Sequence, residues 1–223
     1  RAPRARRPLT LVAILLLAAY VVFTPALDRM FADDQIHYLA ELNGDTSLQA
    51  GLHHWDYAVT RQFWKGDDAL FRPLLFVWMA VANSLFAYHQ FGWNLATLLI
   101  HVLVALALFR LLIEIRPSPF ALPASMLFLM LSPPVELPLW NHLGGYLLAF
   151  LFFLIGARAL VRLLRSNSGS NRDVVAFVAS FALAAHMYEV MVVACALGAA
   201  LVLWTDWRRT RALQWKRGVV LLA

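Results

Sequence analysis

Apolar residues in this chain gather into long runs separated by short polar breaks, at 9–27, 73–87, 91–113, 120–135, 143–161, 174–188 and 189–204. A helix needs roughly 20 mostly apolar residues to cross the hydrocarbon core of a bilayer. The pattern therefore predicts an all-α polytopic membrane protein, in which not every run is a simple crossing. The exception to the apolar rule is a hydrophilic insert, Asp28 to Asp68, which carries Asp33-Asp34 just past the first run and leads into Phe71-Arg72-Pro73-Leu74.

Composition agrees with the pattern. Hydrophobic residues make up 61% of the 223 residues and charged ones 14%, with a mean hydropathy of +0.66, far from the balance of a soluble domain. The first run follows Arg1, Arg4, Arg6 and Arg7 and resembles a secretory signal. The later runs, and the lack of a small-residue cleavage site after Thr24-Pro25, favour an uncleaved helix. The chain starts without methionine and stops in Val219-Val220-Leu221-Leu222-Ala223, which reads as the beginning of another span and as the N-terminal part of a longer protein. The single cysteine, Cys195, excludes an internal disulfide and reads as a small apolar residue.

Charge sets the topology. Arginine and lysine near span ends stay on the cytoplasmic side. With the N-terminus inside, the 28–70 insert lies outside, and it holds eight acidic residues against Arg29, Arg61 and Lys65. If 73–87 lies along the outer surface instead of crossing, then Arg110, Arg116, Arg158, Arg162, Arg165 and Arg172 all fall on the cytoplasmic side. Pro73 suits the first turn of that helix. A turn at His186-Met187-Tyr188-Glu189, splitting 174–204 into two short crossings, keeps Arg172 and Arg208 on the same side. The net charge of +6 thus belongs to anionic lipid headgroups; nucleic acid is not expected. Tryptophans 55, 64, 78, 93 and 140 fall at outer boundaries and 204, 207 and 215 at the inner one, as an interfacial belt requires.

Chemistry is expected on the outer face, because charged groups at membrane depth are costly and mark a function or a partner. Asp34, held by the first helix, or its neighbour Asp33 suits a general base that takes a proton from a hydroxyl; a solvated cap for 35–42 is the structural alternative. Arg72 suits a phosphate, which a guanidinium fork can grip bidentately, or else pairs with Asp67 or Asp68. Glu136, between Pro134 and Pro138, can orient an acceptor, join a metal site or pair with Arg72. His142, His186 and Glu189 complete the candidates. No H-E-x-x-H spacing appears, so zinc is not expected. His101, in the middle of 91–113, reads as a buried, hydrogen-bonded histidine.

The order of these elements resembles a family. A first helix, an outer loop opening with an acidic pair, an R-P-L element before a surface helix, and a helix running from Asn94 to His101 are similar to the GT-C superfamily of membrane glycosyltransferases, in the branch of the protein O-mannosyltransferases and their bacterial relatives. That branch carries an H-P-x-x-x-E element; here Ser132-Pro133-Pro134-Val135-Glu136 keeps the proline and glutamate and has serine for histidine. An S-K-E element corresponds to Met187-Tyr188-Glu189, which keeps only the acid.

The resemblance implies a GT-C type transmembrane helix bundle with a large first extracytoplasmic loop, in a bacterial inner (cell) membrane. It implies inverting transfer of a sugar from a polyprenyl- or dolichyl-phosphate donor to a hydroxyl acceptor, with Asp34 or Asp33 as base and Arg72 on the donor phosphate. Some members use a divalent cation and others do not. Two other classes compete. A transporter or flippase predicts polar groups spread through membrane depth, whereas most of those above gather at one face. A non-catalytic assembly subunit would use the outer loop to bind a partner.

Overall fold

A computed structural model of the chain describes residues 7–27, 45–53, 72–131, 144–165 and 170–210. These form α1 (Arg7–Leu27), α2 (Pro73–Phe86), α3 (Gln90–Ile115), α4 (Ala121–Leu131), α5 (Gly144–Arg165), α6 (Asn171–Met187) and α7 (Met191–Thr210), with a short helical stretch at 48–53 and no strand among the described residues. Each helix coincides with an apolar run. Two of them, α3 and α5, are long and apolar enough to cross a membrane. At 1.5 Å per residue they measure about 39 and about 33 Å.

Ion pairs define one end of the bundle. Glu114, near the end of α3, accepts hydrogen bonds at one carboxylate oxygen from Arg158 Nε at 2.9 Å and Arg162 Nε at 3.1 Å, both near the end of α5. Arg165 donates to the last carbonyls of α3, those of Glu114 and Ile115, which have no partner within the helix. Arg162 also lies 3.6 Å from Asp173 in the first turn of α6. Thus α3 and α5 run in the same direction, α4 returns beside α3 and α1, and α6 runs back beside α5.

The opposite end carries α2. Its first residues meet the start of α5, where Gly145 makes room for Leu75 and Gly144 for Trp78. Its last residue, Phe86, packs over Gly92 in the first turn of α3. Both ends of α2 therefore sit at the same end of the bundle, so this 14-residue helix lies across that end instead of running through it. Pro73 occupies its first turn, where the missing N–H costs nothing. The reversal into α3 passes through Ala87 at φ 46°, and the Trp93 indole N–H secures it by donating to the Ala87 carbonyl at 2.9 Å. The aromatic-belt reading fails for Trp93, which is fully buried: closing this turn takes an indole donor inside the bundle. Trp204 and Trp207 do remain exposed.

Three apolar clusters tie the helices together. Leu15 and Ala19 of α1 meet Leu98, Val102 and Ala105 of α3 and Leu129 of α4. Ile100 and Val104 of α3 meet Leu147 and Leu154 of α5. Ala159 of α5 meets Phe177 and Phe181 of α6. In the last, Phe181 stacks on Phe153 at 5.6 Å between centroids and tilts against Phe177 at 4.5 Å.

Small residues permit this close approach. A β-carbon at Gly156 would stand 2.5 Å from Phe181 Cδ1, and one at Gly198 would stand 2.7 Å from the other edge of the same ring. Because Phe153 and Phe177 hold that ring, it cannot yield freely. Gly156→Ala is expected to lower stability by about 1–3 kcal/mol, the usual cost of overpacking. Thermal unfolding in mild detergent checks this, with Ala200→Leu, on an exposed position, expected to leave the midpoint unchanged.

Candidate functional site

Arg72 immediately precedes α2, and the tight turn 188–190 between α6 and α7 presents Glu189 to it. The turn closes with the Tyr188 N–H on the Ala184 carbonyl and the Met191 N–H on the Tyr188 carbonyl, each at 3.0 Å. Across 117 residues of sequence, Arg72 Nε donates to Glu189 Oε2 and Nη2 to Oε1, both at 2.6 Å. This is the side-on bidentate geometry that makes arginine–carboxylate pairs strong.

Two tyrosines complete the setting. The guanidinium carbon lies 5.2 Å from the centroid of Tyr146 and 4.8 Å from that of Tyr188, and the rings are 4.7 Å apart. Such cation–π contacts contribute about 0.5–2 kcal/mol each, more when water is excluded. Arg72 Nη1 also donates to the Tyr146 hydroxyl. The arginine side chain is 12% exposed and the glutamate 34%.

The electrostatics follow. The Arg72 guanidinium holds the Glu189 carboxyl below its ordinary value of 4.5, and Glu189 in turn raises Arg72. The pair is neutral as a whole, so an approaching anion meets an oriented dipole instead of a bare cation. A guanidinium has five N–H groups. Among the described residues, Glu189 takes two and Tyr146 one.

Part of the hydrophilic insert docks beside this end. The Ser47 hydroxyl caps 48–53 by accepting from the Ala50 N–H at 3.1 Å, and the Asp45 carboxylate accepts from the Ser47 N–H at 2.8 Å, which keeps Asp45 acidic. The nearly fully buried Asn83 amide on α2 donates to the Asp45 carbonyl at 3.3 Å, and Ala50 packs with Leu75 and Met79.

Of the residues singled out in the sequence, the structure brings Arg72 and Glu189 together. Among the described residues the partner of Arg72 is Glu189; Asp67, Asp68 and Glu136, the partners the sequence allowed, lie outside them. His186, in the last turn of α6, turns its Nδ1 to the Ala182 carbonyl at 2.7 Å. Asp33, Asp34, Glu136 and His142 lie outside the described residues. Tyr146 and Tyr188 were not foreseen. One follows Gly144-Gly145 at the start of α5 and the other adjoins Glu189, so both stand at the boundary to which the charge pattern assigned the site. Among the described residues no cluster of three or more His, Cys, Asp or Glu side chains forms a metal-ligand set.

A second polar feature runs into the bundle. Asn94, Thr97 and His101 share one face of α3 and are at most 3% exposed. His101 Nε2 lies 3.2 Å from the Leu129 carbonyl, with its ring against Phe128.

Glu189 is an acid whose folded-state pKa is depressed, so its stabilising contribution is complete above the ordinary value near 4.5 and is lost as pH falls through the lower folded value. The unfolding midpoint of the wild type is expected to drop steeply below pH 4.5, and Glu189→Gln to lower it at neutral pH while removing that acid limb. The double variant Arg72→Met, Glu189→Leu is expected to lose less than the sum of its singles by on the order of 2 kcal/mol, as measured by a double-mutant cycle.

No family model, curated protein or solved structure matches this chain.

Proposed function

We propose that this chain acts as a membrane glycosyltransferase, moving a sugar from a polyprenyl-phosphate donor to an acceptor hydroxyl on the extracytoplasmic face. The observation that carries the reading is the Arg72–Glu189 pair, clamped between Tyr146 and Tyr188 at the end of the bundle away from the Glu114–Arg158–Arg162 cluster. A rigid, part-buried guanidinium beside a polar insert is a suitable seat for a lipid phosphate, whose tail stays in the bilayer while its sugar meets water.

A membrane setting is supported by the two long apolar helices. It is supported also by the many large apolar side chains that face outward, such as Leu17, Val21, Val175, Val193 and Leu197 at 62–68% exposure, a surface suited to hydrocarbon. The surplus of arginines at the Glu114 end, Arg158, Arg162 and Arg165 around one carboxylate, matches the arginine bias toward the cytoplasm. The cluster at Glu114 is then the cytoplasmic end and Arg72 the outer one.

In this reading Asp34 or Asp33 takes the proton from the acceptor hydroxyl. The hydroxyl oxygen attacks the anomeric carbon from the face opposite the phosphate, and the bond from that carbon to the phosphate oxygen breaks with its electron pair, inverting the configuration. The guanidinium of Arg72 stabilises the departing polyprenyl phosphate. Glu189 keeps the guanidinium in place, while Glu136, His142 and His186 line the acceptor side.

A transporter or flippase is the second reading, favoured by the buried Asn94, Thr97 and His101, which carry polarity into the bundle. Purified protein in proteoliposomes, given a panel of lipid-linked sugars, separates the two. Transfer predicts release of polyprenyl phosphate, reduced about 10²–10⁴-fold in Asp34→Asn or Asp33→Asn, as for loss of a general base; full turnover in both variants rejects the base. Translocation of intact donor without release supports the transporter.

Orientation has its own check. In a Cys195→Ala background, a membrane-impermeant thiol reagent is expected to label Val190→Cys from outside intact cells and Ser118→Cys only after permeabilisation.

A further inference from the structure

A groove of about 340 Å³ runs between α3 and α5, far from the Arg72 pair. The two helices build it in register. On α3, Leu103, Ala107 and Arg110 follow one another at spacings of four and three, and on α5, Leu151, Ile155 and Arg158 do the same. Such spacings stack side chains on one helix face, so two parallel helices each present an apolar stripe that ends in an arginine at the same level. Ala107 supplies the hollow. Leu103 and Ile155 are 48% and 41% exposed, so the groove opens sideways, away from the bundle core.

The charges at its arginine end are unbalanced. Arg110 is exposed and makes no ion pair or hydrogen bond with any described residue. Arg158 shares the single carboxylate of Glu114 with Arg162, and the next acid, Asp173, also faces Arg162. Both groove arginines sit before their helix ends, Arg110 by five residues and Arg158 by seven, or about 8 and 10 Å at 1.5 Å per residue. In the orientation proposed above, with the helix ends at the aqueous boundary, both cations lie below it, where an uncompensated cation is costly.

We infer that this groove binds one anionic phospholipid of the cytoplasmic leaflet, with its phosphate between the guanidinium groups of Arg110 and Arg158 and an acyl chain along Leu103, Ala107, Leu151 and Ile155. The direction fits: the arginines stand toward the basic end and the apolar stripe runs toward the middle of the bundle, as a headgroup and its tail do. Guanidinium forks pair with phosphate oxygens, and basic pockets between transmembrane helices on the cytoplasmic side accept acidic headgroups. The inference rests on the membrane orientation proposed above but not on sugar transfer.

Native mass spectrometry of the full chain released from detergent reads it directly. Phosphatidylglycerol is expected to remain bound one per chain in preference to phosphatidylcholine of the same acyl composition. Arg110→Gln is expected to cut its retention about fivefold, the weight of one arginine near an anionic surface. Ala107→Trp, which fills the hollow without altering charge, is expected to abolish retention of both lipids, and millimolar inorganic phosphate to leave phosphatidylglycerol in place. An unchanged unfolding midpoint for Arg110→Gln ties its loss to the site. Equal retention of the two lipids, equal retention by wild type and Arg110→Gln, or full displacement by inorganic phosphate overturns the inference. Lipid retention without any sugar transfer supports it and counts only against the enzyme reading.

Discussion

The α2 end of this molecule depends on one part-buried guanidinium. Arg72 has to leave water because α2 lies across the bundle, and the cost of desolvating a cation is met by Glu189, the Tyr146 hydroxyl and two aromatic faces. That requirement ties the start of α2, the first turn of α5 and the α6–α7 turn into one unit. Removing either charge would leave its partner stranded, so the three segments hold position together or not at all.

The other end solves the same problem with more arginines than acids. Glu114 is shared between Arg158 and Arg162, and Arg165 uses carbonyl groups at the end of α3 in place of a carboxylate. Positive charge therefore remains in surplus there, while at the Arg72 end it is cancelled. Such asymmetry orients a helical protein across a bilayer, and it divides the chemistry: an oriented neutral pair at one boundary and uncompensated cations at the other. Gly144, Gly145, Gly156 and Gly198 let helices and rings approach closely.

Much of this fold was legible in the sequence because apolar runs and charge bias are local or additive signals. Each apolar run became a helix. The reluctance to let 73–87 cross, drawn from its length and from the side on which later arginines would fall, agrees with a helix whose two ends meet the same end of the bundle. The break predicted at 186–189 appears at 188–190, because Glu189 cannot continue an apolar helix without a partner. The site was less legible. Arg72 and Glu189 were both picked out, yet their pairing spans 117 residues, and nearer acids offered themselves. Trp93 read as an interfacial residue since position along the chain does not reveal that its N–H closes a turn.

By itself, then, the sequence determined the all-helical class and the number and placement of the apolar helices, since hydropathy acts on each segment independently of the rest. The tertiary structure alone decided which side chains meet. The tyrosine-flanked Arg72–Glu189 pair, the Phe181 ring trapped between two glycines, and the matched arginine stripes of α3 and α5 all arise from helices far apart in the chain. Contacts between such segments depend on rotation and register, which no single segment encodes.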